Sequence, residues 1–260
     1  MTLFADPSFF VLLAAAVAAA AAIGLSGHTL RHYGLAVSVG FLACVFLKTP
    51  AQLVALLGFL AVARASVLFL ARNLKDRRRY LVSVASTLAP LVVYKVSAVF
   101  DQSLWGFVGV SYVTFKAVQV VIEVHDGLIP REELGLEDWL YFLLFFPQFS
   151  SGPIDRSRRF FVDAHATPAR DEYAGMLARG ILLLLAGAVY KVVVATWIHR
   201  FYAPSAAGDA WAQVQTALLY GLYLFCDFQG YSLMAMGASY CLGIRCPRNF
   251  RAPFAAADII

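Results

Sequence analysis

The sequence predicts an all-α fold: a polytopic transmembrane helical bundle with re-entrant segments, in which residues 1–260 form a single membrane domain. Three observations carry this reading. Apolar residues make up 61% of the chain and charged residues only 14%, against roughly 25% charged in ordinary soluble domains. Apolar runs approaching the ~20 residues needed to cross ~30 Å of hydrocarbon recur from end to end. The last stretch, Phe225 to Phe254, sets Asp227, Gln229 and Tyr231 at alternating positions of an aromatic helix and then breaks at Pro247, Asn249 and Pro253. A carboxylate at the bilayer centre costs roughly 3 kcal/mol or more, and irregular backbone at that depth persists only against protein or a water-filled cavity. This stretch is therefore expected to line an interior path, with the earlier helices as its wall.

Taken in order, Phe9–Leu25 is the first span, and its run of alanines from Ala14 to Ala22, broken only by Val17, offers a smooth surface for close helix approach. The N-terminus lacks the Lys or Arg that precedes the apolar core of a signal peptide, so the first helix reads as retained. Tyr33–Leu47 is short. Ala51–Leu70 is interrupted only by Arg64, and Tyr80–Phe100 carries Pro90 as an expected kink and Lys95 near one end. Phe107–Val124 holds Ser111, Thr114, Lys116, Gln119 and Glu123, too many polar groups for a lipid-facing helix. Lys116 and Glu123 lie two turns apart on one face, so each should meet a partner on that side. Leu136–Phe149 is too short to cross and reads as re-entrant or interfacial. Met176–His199 crosses with Lys191 inside, and Trp211–Leu242 leads into the polar stretch.

Loop charges orient these spans. Arg72, Lys75, Arg77, Arg78 and Arg79 crowd one connection, Arg156, Arg158 and Arg159 another, and Arg245, Arg248 and Arg251 the last. Lys and Arg mark cytoplasmic loops. The segments this rule places outside, residues 1–8, 101–106 and 201–210, contain neither, so the N-terminus is expected outside; Lys48 is the one mismatch.

The net charge of +5 is spread between spans instead of forming a stripe with interleaved aromatics, which argues against nucleic acid. The four cysteines show neither disulfide nor zinc spacing and read as packing residues. No nucleophile elbow, P-loop, HExxH or dinucleotide glycine pattern is present. His28 and His32 are four apart but have no carboxylate or Cys beside them in sequence, so no metal is expected. His125 between Glu123 and Asp126 fits a helix end closed by Gly127 as well as an acid–base cluster. The turn at Ser150, Ser151, Gly152 and Pro153, followed by Asp155 and Arg156, ends an apolar segment and is expected to line a funnel. Three roles stay open for Asp227: a proton relay, an ion-pair partner of Lys95, Lys116 or Lys191, or a buried acid bonded to tyrosines.

Three blocks, GVSYVTFKAVQVVIEVHDG (109–127), FFPQFSSGPIDR (145–156) and DFQGYSLMAMGASYCLGIRCPRNFRAPF (227–254), together resemble the membrane-bound O-acyltransferase (MBOAT) family. The likeness is nearest to its bacterial branch that moves D-alanine to teichoic acids; the alginate O-acetyltransferase branch is similar but differs around SGPIDR. The resemblance implies a bundle with a funnel from each side and a thin wall between. It also implies an acyl group, D-alanyl ahead of acetyl, held as a thioester on the phosphopantetheine of a cytoplasmic acyl carrier protein. That group would pass to a hydroxyl of a cell-envelope polymer or to a partner membrane-anchored transferase, with no tightly bound cofactor. The setting would be the bacterial cytoplasmic membrane and its lipid. The residues that match the tunnel blocks are Ser150, Ser151, Gly152, Pro153, Asp227, Gln229, Tyr231, Asn249 and Pro253. The family places its catalytic His in a helix shortly after the block that here ends at Ile260, so none of the five histidines inherits that role. These 260 residues alone are accordingly expected to be C-terminally incomplete and inactive. Two other classes stay open: a secondary transporter with an ion route through Lys95, Lys116, Lys191 and Asp227, although no internal repeat is visible, and a non-catalytic scaffold presenting the acceptor.

Overall fold

A computed structural model of the chain describes residues 3–4, 6–100, 106–130, 134–201 and 210–249, and within these every regular element is a helix. Among the described residues four segments are long and apolar enough to cross a membrane. They are α1 (Pro7–Leu25), α3 (Pro50–Leu70), the Arg77–Ser97 part of α4 (Arg77–Phe100), and the continuous run Arg170–Phe201. That last run comprises α8 (Arg170–Ala188), a π-helical turn Val189–Ala195 that carries Lys191, and α9 (Thr196–Phe201). Helices α2 (Arg31–Phe46) and α5 (Val110–His125) are shorter, and α10 (Ala210–Cys241) is the long final helix. Large apolar side chains such as Val11, Val54, Leu57, Leu182 and Leu218 lie exposed around the outside, as expected where the solvent is lipid. The protein is a multi-pass membrane protein.

The core draws on every long helix. One group packs α3, α4 and α5 together, where Ser83 Oγ donates to the Ser66 carbonyl at 2.9 Å and the Ser66 and Ser86 hydroxyls meet at 2.8 Å, the interhelical polar bonding favoured in lipid. The other packs α8 against α10 along a seam of glycines. Gly180 faces Gly237 and Gly187 faces Gly230, so closely that a Cβ on any of the four would stand 2.6–2.8 Å from the opposing helix. The spacing of seven on each helix puts both contacts on one stripe.

Between the two groups lies the element predicted as re-entrant. Helix α6 (Leu136–Leu144) starts beside the C-terminal half of α3, where Arg64 donates to the Leu134 carbonyl at 2.9 Å. It gives way to a 3-10 turn at Phe146–Gln148, and the Phe149 carbonyl reaches Gly109 at the opposite end of α5. The chain then returns, and Ser157 donates to Glu123 near the end of α5 where the hairpin began. Gly109 and Glu123 are fourteen residues apart, so the hairpin penetrates roughly 20 Å along α5 before turning back.

One sequence expectation needs correcting and one gap needs filling. The stretch between the hairpin and Met176, to which sequence assigned no element, forms α7 (Ser157–His165), and α8 begins at Arg170. Helix α7 is amphipathic, with Phe160, Phe161 and Ala164 buried and Arg158, Arg159 and Val162 exposed; nine residues cannot cross a bilayer, so a search for spans passes over it. Cys226, Cys241 and Cys246 are buried, but Cys44 is exposed on the outer face of α2, where a small apolar side chain suits lipid as well as core.

Candidate functional site at the tip of the re-entrant hairpin

A hairpin that breaks its helix at membrane depth leaves amides and carbonyls without intrahelical partners, and these must be met from elsewhere. Two elements meet them, and a third holds the Gln148 side chain. The fully buried Ser38 of α2 accepts from the Phe146 amide at 3.3 Å. The fully buried Lys116 of α5 donates to the Phe142 carbonyl, with its ammonium 4.4 Å from the centre of the Phe142 ring. Gln148 donates to Cys246 Sγ at 2.6 Å from the segment after α10. Aromatic rings wedge the tip: Phe146 stacks on Phe41 at 4.4 Å, and Phe149 packs against Phe46 at 5.9 Å and Phe107 at 6.4 Å.

At the tip, the Ser150 hydroxyl and the Tyr231 hydroxyl of α10 are hydrogen-bonded at 2.9 Å. Gly152 allows this approach: its φ of +111° is a conformation that side chains rarely adopt, and a Cβ there would stand 3.2 Å from Ala235 Cβ. Pro153 is buried and Ser151 half-buried beside it. Over the tip opens a cavity of about 360 Å³, lined by Ser150, by Gln52 of α3, by Tyr94 and Lys95 of α4, and by residues 106–112 at the start of α5. Gln52 accepts from the Val108 amide at 3.4 Å. Helix α5 has no side-chain cap, so the first-turn amides of Ser111 and Tyr112 have no intrahelical acceptor.

The remaining residues singled out by sequence divide. Asp227 is ion-paired with Lys191 of the π-helical turn, one helical turn along α10 from Tyr231, so of the three lysines considered for it Lys191 is the partner. Lys116 instead serves the hairpin, and Lys95 lies at the cavity wall with its ammonium 6.0 Å from the centre of the Tyr94 ring. The Gln229 side-chain oxygen is buried with no hydrogen-bond partner among the described residues. Asn249 donates to the Ser232 hydroxyl at 2.9 Å, tying the returning chain to α10 beside Tyr231. Pro253 lies outside the described residues. Sequence reading missed Ser38, Gln52, Gln148 and Cys246, of which only Gln148, a lone amide within FFPQF, stands out from its neighbours.

The base of the hairpin is charged. Arg31 pairs with Asp138 at 2.8 Å and Glu137 at 3.1 Å, His32 meets Glu137 at 2.5 Å, and His165 meets Asp138 at 3.0 Å. The carboxylates missing beside His32 in sequence thus arrive from α6. His125 ends α5 and contacts Asp126 at 3.0 Å. Asp155 accepts from Arg159 Nε at 2.9 Å; burial pushes its carboxyl up, opposed by Arg159. Burial likewise raises the Asp163 carboxyl, opposed by the Arg245 amide bonded to it at 2.8 Å. Burial pushes the Cys246 thiol up to about 12, so it is an unreactive hydrogen-bonding group. A second cavity, of about 670 Å³, opens at this base between Leu128, Asp138, Arg158, Phe161, Val162 and His165. Among the described residues no group of three or more His, Cys, Asp or Glu is arranged to hold a metal.

No family profile matches the chain. Among individual proteins, a teichoic acid D-alanyltransferase of Bacillus subtilis is 33% identical over 277 residues, covering 100% of this chain and 69% of its own length. A second teichoic acid D-alanyltransferase, of Lacticaseibacillus rhamnosus, is 33% identical over 276 residues, covering 96% of this chain and 67% of its own length. A probable alginate O-acetylase of Pseudomonas aeruginosa is 32% identical over 160 residues, covering 58% of this chain and 29% of its own length. With that likeness running through the hairpin, α5 and α10 alike, the chain belongs to the membrane-bound O-acyltransferase family, in the branch of the teichoic acid D-alanyltransferases.

Proposed function

We propose that this protein works in the transfer of a D-alanyl group from a carrier thioester in the cytoplasm to a hydroxyl of a cell-envelope polymer. In that reaction the thioester C–S bond breaks, an ester C–O bond forms, and the proton of the attacking hydroxyl leaves with the carrier thiol. The observation that carries the reading is the hairpin itself. It begins beside one cavity and ends, through the Ser150–Tyr231 bond, as the floor of another at the opposite end of α5. An acyl donor and an alcohol that approach from opposite sides of a membrane need such a shortened path.

In this reading the hairpin base faces the cytoplasm. Arg156, Arg158, Arg159 and Arg245 gather there, which is the side that Lys and Arg favour. The donor would be a D-alanyl acyl carrier protein whose phosphopantetheine arm enters from the base cavity. The tip, held by Ser150, Ser151, Gly152, Pro153 and Tyr231, would position the acceptor side, and Gln229 and Asn249 would shape the wall along α10. No described histidine lines the tip cavity, so the general base toward the alcohol is not assigned to any of them. The N-terminus would lie outside the bacterial cytoplasmic membrane.

The test uses the full-length protein in proteoliposomes, with radiolabelled D-alanyl carrier on the hairpin-base side and polymer on the other. Label should appear on the polymer, more slowly when the carrier bears acetyl. Transfer from neither carrier, or solute flux that needs no carrier, would refute the proposal.

A further inference from the structure

We infer that a small cavity beside Tyr141, where four segments of the chain meet at the hairpin base, binds one water molecule that gives the Tyr141 hydroxyl its hydrogen-bond partner. The space is too small for the donor or the acceptor of the transfer reaction.

Tyr141 of α6 is 1% exposed, and its ring packs edge-on against Phe145 at 5.5 Å and Phe160 at 4.9 Å. A phenylalanine would make both contacts as well. The hydroxyl end occupies the space that a Cβ on Gly34 of α2 would fill, and its oxygen has no hydrogen-bond partner among the described residues. A buried hydroxyl left in that state destabilises a fold, since it gives up water and receives nothing in return. Beside it lies a cavity of about 10 Å³, about the least space that one water occupies. Its walls are Leu30 and Arg31 at the start of α2, Tyr141 itself, Asp163 and Ala166 at the end of α7, and Gly243 after α10. Leu30 and Gly34 are one turn apart on α2, which sets the Tyr141 hydroxyl at the edge of this space. Arg31 and Asp163 already have partners in Asp138 and Arg245, so the tyrosine is the lining group that needs one. The polar lining suits a neutral dipole better than an ion. A cation would meet the Arg31 guanidinium and an anion the Asp163 carboxylate, whereas a water donates to the carboxylate and bonds the hydroxyl in either role. A wholly apolar cavity of this kind would stay dry.

Thermal unfolding of the purified full-length protein in one detergent tests this by the sign of a shift, because Tyr141→Phe keeps the ring and removes only the hydroxyl. With a water in place the variant loses a satisfied group and should melt about 2–4 °C below the wild type, the shift expected for one net hydrogen bond in a chain of this size. With the hydroxyl unpartnered, its removal relieves a cost, and the variant should melt at or above the wild type; that result overturns the inference. The second measurement is a cryo-EM map of the full-length wild type at a resolution that shows other buried waters. It should contain a peak within about 3 Å of Tyr141 Oη, and the matching map of Tyr141→Phe should lack it. A wild-type map without that peak, or a peak unchanged in the variant, overturns the site even where the melting point falls. Should the variant not fold, the wild-type map alone decides.

Discussion

Alanine at Gly187 should lower the melting temperature of the protein, and alanine at Gly175, twelve residues earlier in the same helix, should raise it slightly. The difference follows from what each new methyl group would meet. Nothing lies within 4 Å of a Cβ at Gly175, whereas at Gly187 it would stand 2.6 Å from the Gly230 carbonyl and 2.6 Å from Met234 Cγ. Carbon atoms rest at about 3.5 Å or more, so α8 and α10 would have to part by roughly 1 Å along a seam that also touches at Gly180 and Gly237. Overpacking of this kind costs about 1–3 kcal/mol. Against it stands the helix propensity of alanine, worth about 1 kcal/mol over glycine, and this gain is common to both variants. Comparing Gly187→Ala with Gly175→Ala therefore cancels the propensity and isolates the clash. At ~2–4 °C per kcal/mol for a chain of this size, the two melting points should differ by about 2–12 °C. Thermal unfolding of the purified protein in one detergent measures it. Coincident melting points, or a Gly187→Ala variant more stable than Gly175→Ala, would show that the helices are not in contact through their glycines.

Three further outcomes are expected. Asp227→Asn alone leaves Lys191 without its counter-charge, so it should melt below the Lys191→Met, Asp227→Asn double variant, with a coupling of about 1–3 kcal/mol; simple additivity would refute the pairing. Tyr231→Phe removes the bond to Ser150, should cost about 1 kcal/mol and slow D-alanyl transfer, and should add nothing to Ser150→Ala; an additive double variant would mean the two hydroxyls act separately. Because burial raises the Asp163 carboxyl in the folded protein, the stability it contributes is present below its ordinary value of about 4 and is lost as pH rises through the folded value. Relative to Asp163→Asn, the wild-type melting point should therefore fall as pH rises above about 4, and a relative rise there would contradict the assigned burial.

The helical class and the re-entrant segment were legible because both rest on length: an apolar run either reaches the ~20 residues of a span or stops short. The inward face of α5 was legible too, since Lys116 and Glu123 could not face lipid; Lys116 meets its partner on the hairpin and Glu123 meets Ser157 at the start of α7. What sequence did not show were groups whose meaning depends on a distant neighbour. Ser38 looks like any serine in an apolar helix until the Phe146 amide, 108 residues on, is placed against it. His32 lacks carboxylates locally and gains Glu137 from α6. The choice of Lys191 for Asp227, among three lysines, is set by the glycine contact that brings the π-helical turn against α10. The repeated spacing of seven in Gly180 with Gly187, and in Gly230 with Gly237, is a close-packing stripe that the reading of the sequence passed over.

The way the hairpin is held also constrains how it can work. Each backbone group freed where α6 breaks would cost several kcal/mol against hydrocarbon. The groups that prevent this come from α2 and α5, and the Ser150–Tyr231 and Gln148–Cys246 side-chain bonds fasten the tip to α10 and to the segment after it. No single neighbour suffices, so the tip reaches its place only when both helix groups are assembled around it. The Ser150–Tyr231 bond then ties the tip to α10 while the Lys116–Phe142 bond ties its stem to α5. A shift of the α8–α10 pair relative to α3, α4 and α5 must therefore strain one of these two bonds and move the floor of the tip cavity. The rigidity of the glycine seam thus bears directly on the spacing of the site, and a change there should be felt at Ser150 even though no seam residue lines the cavity.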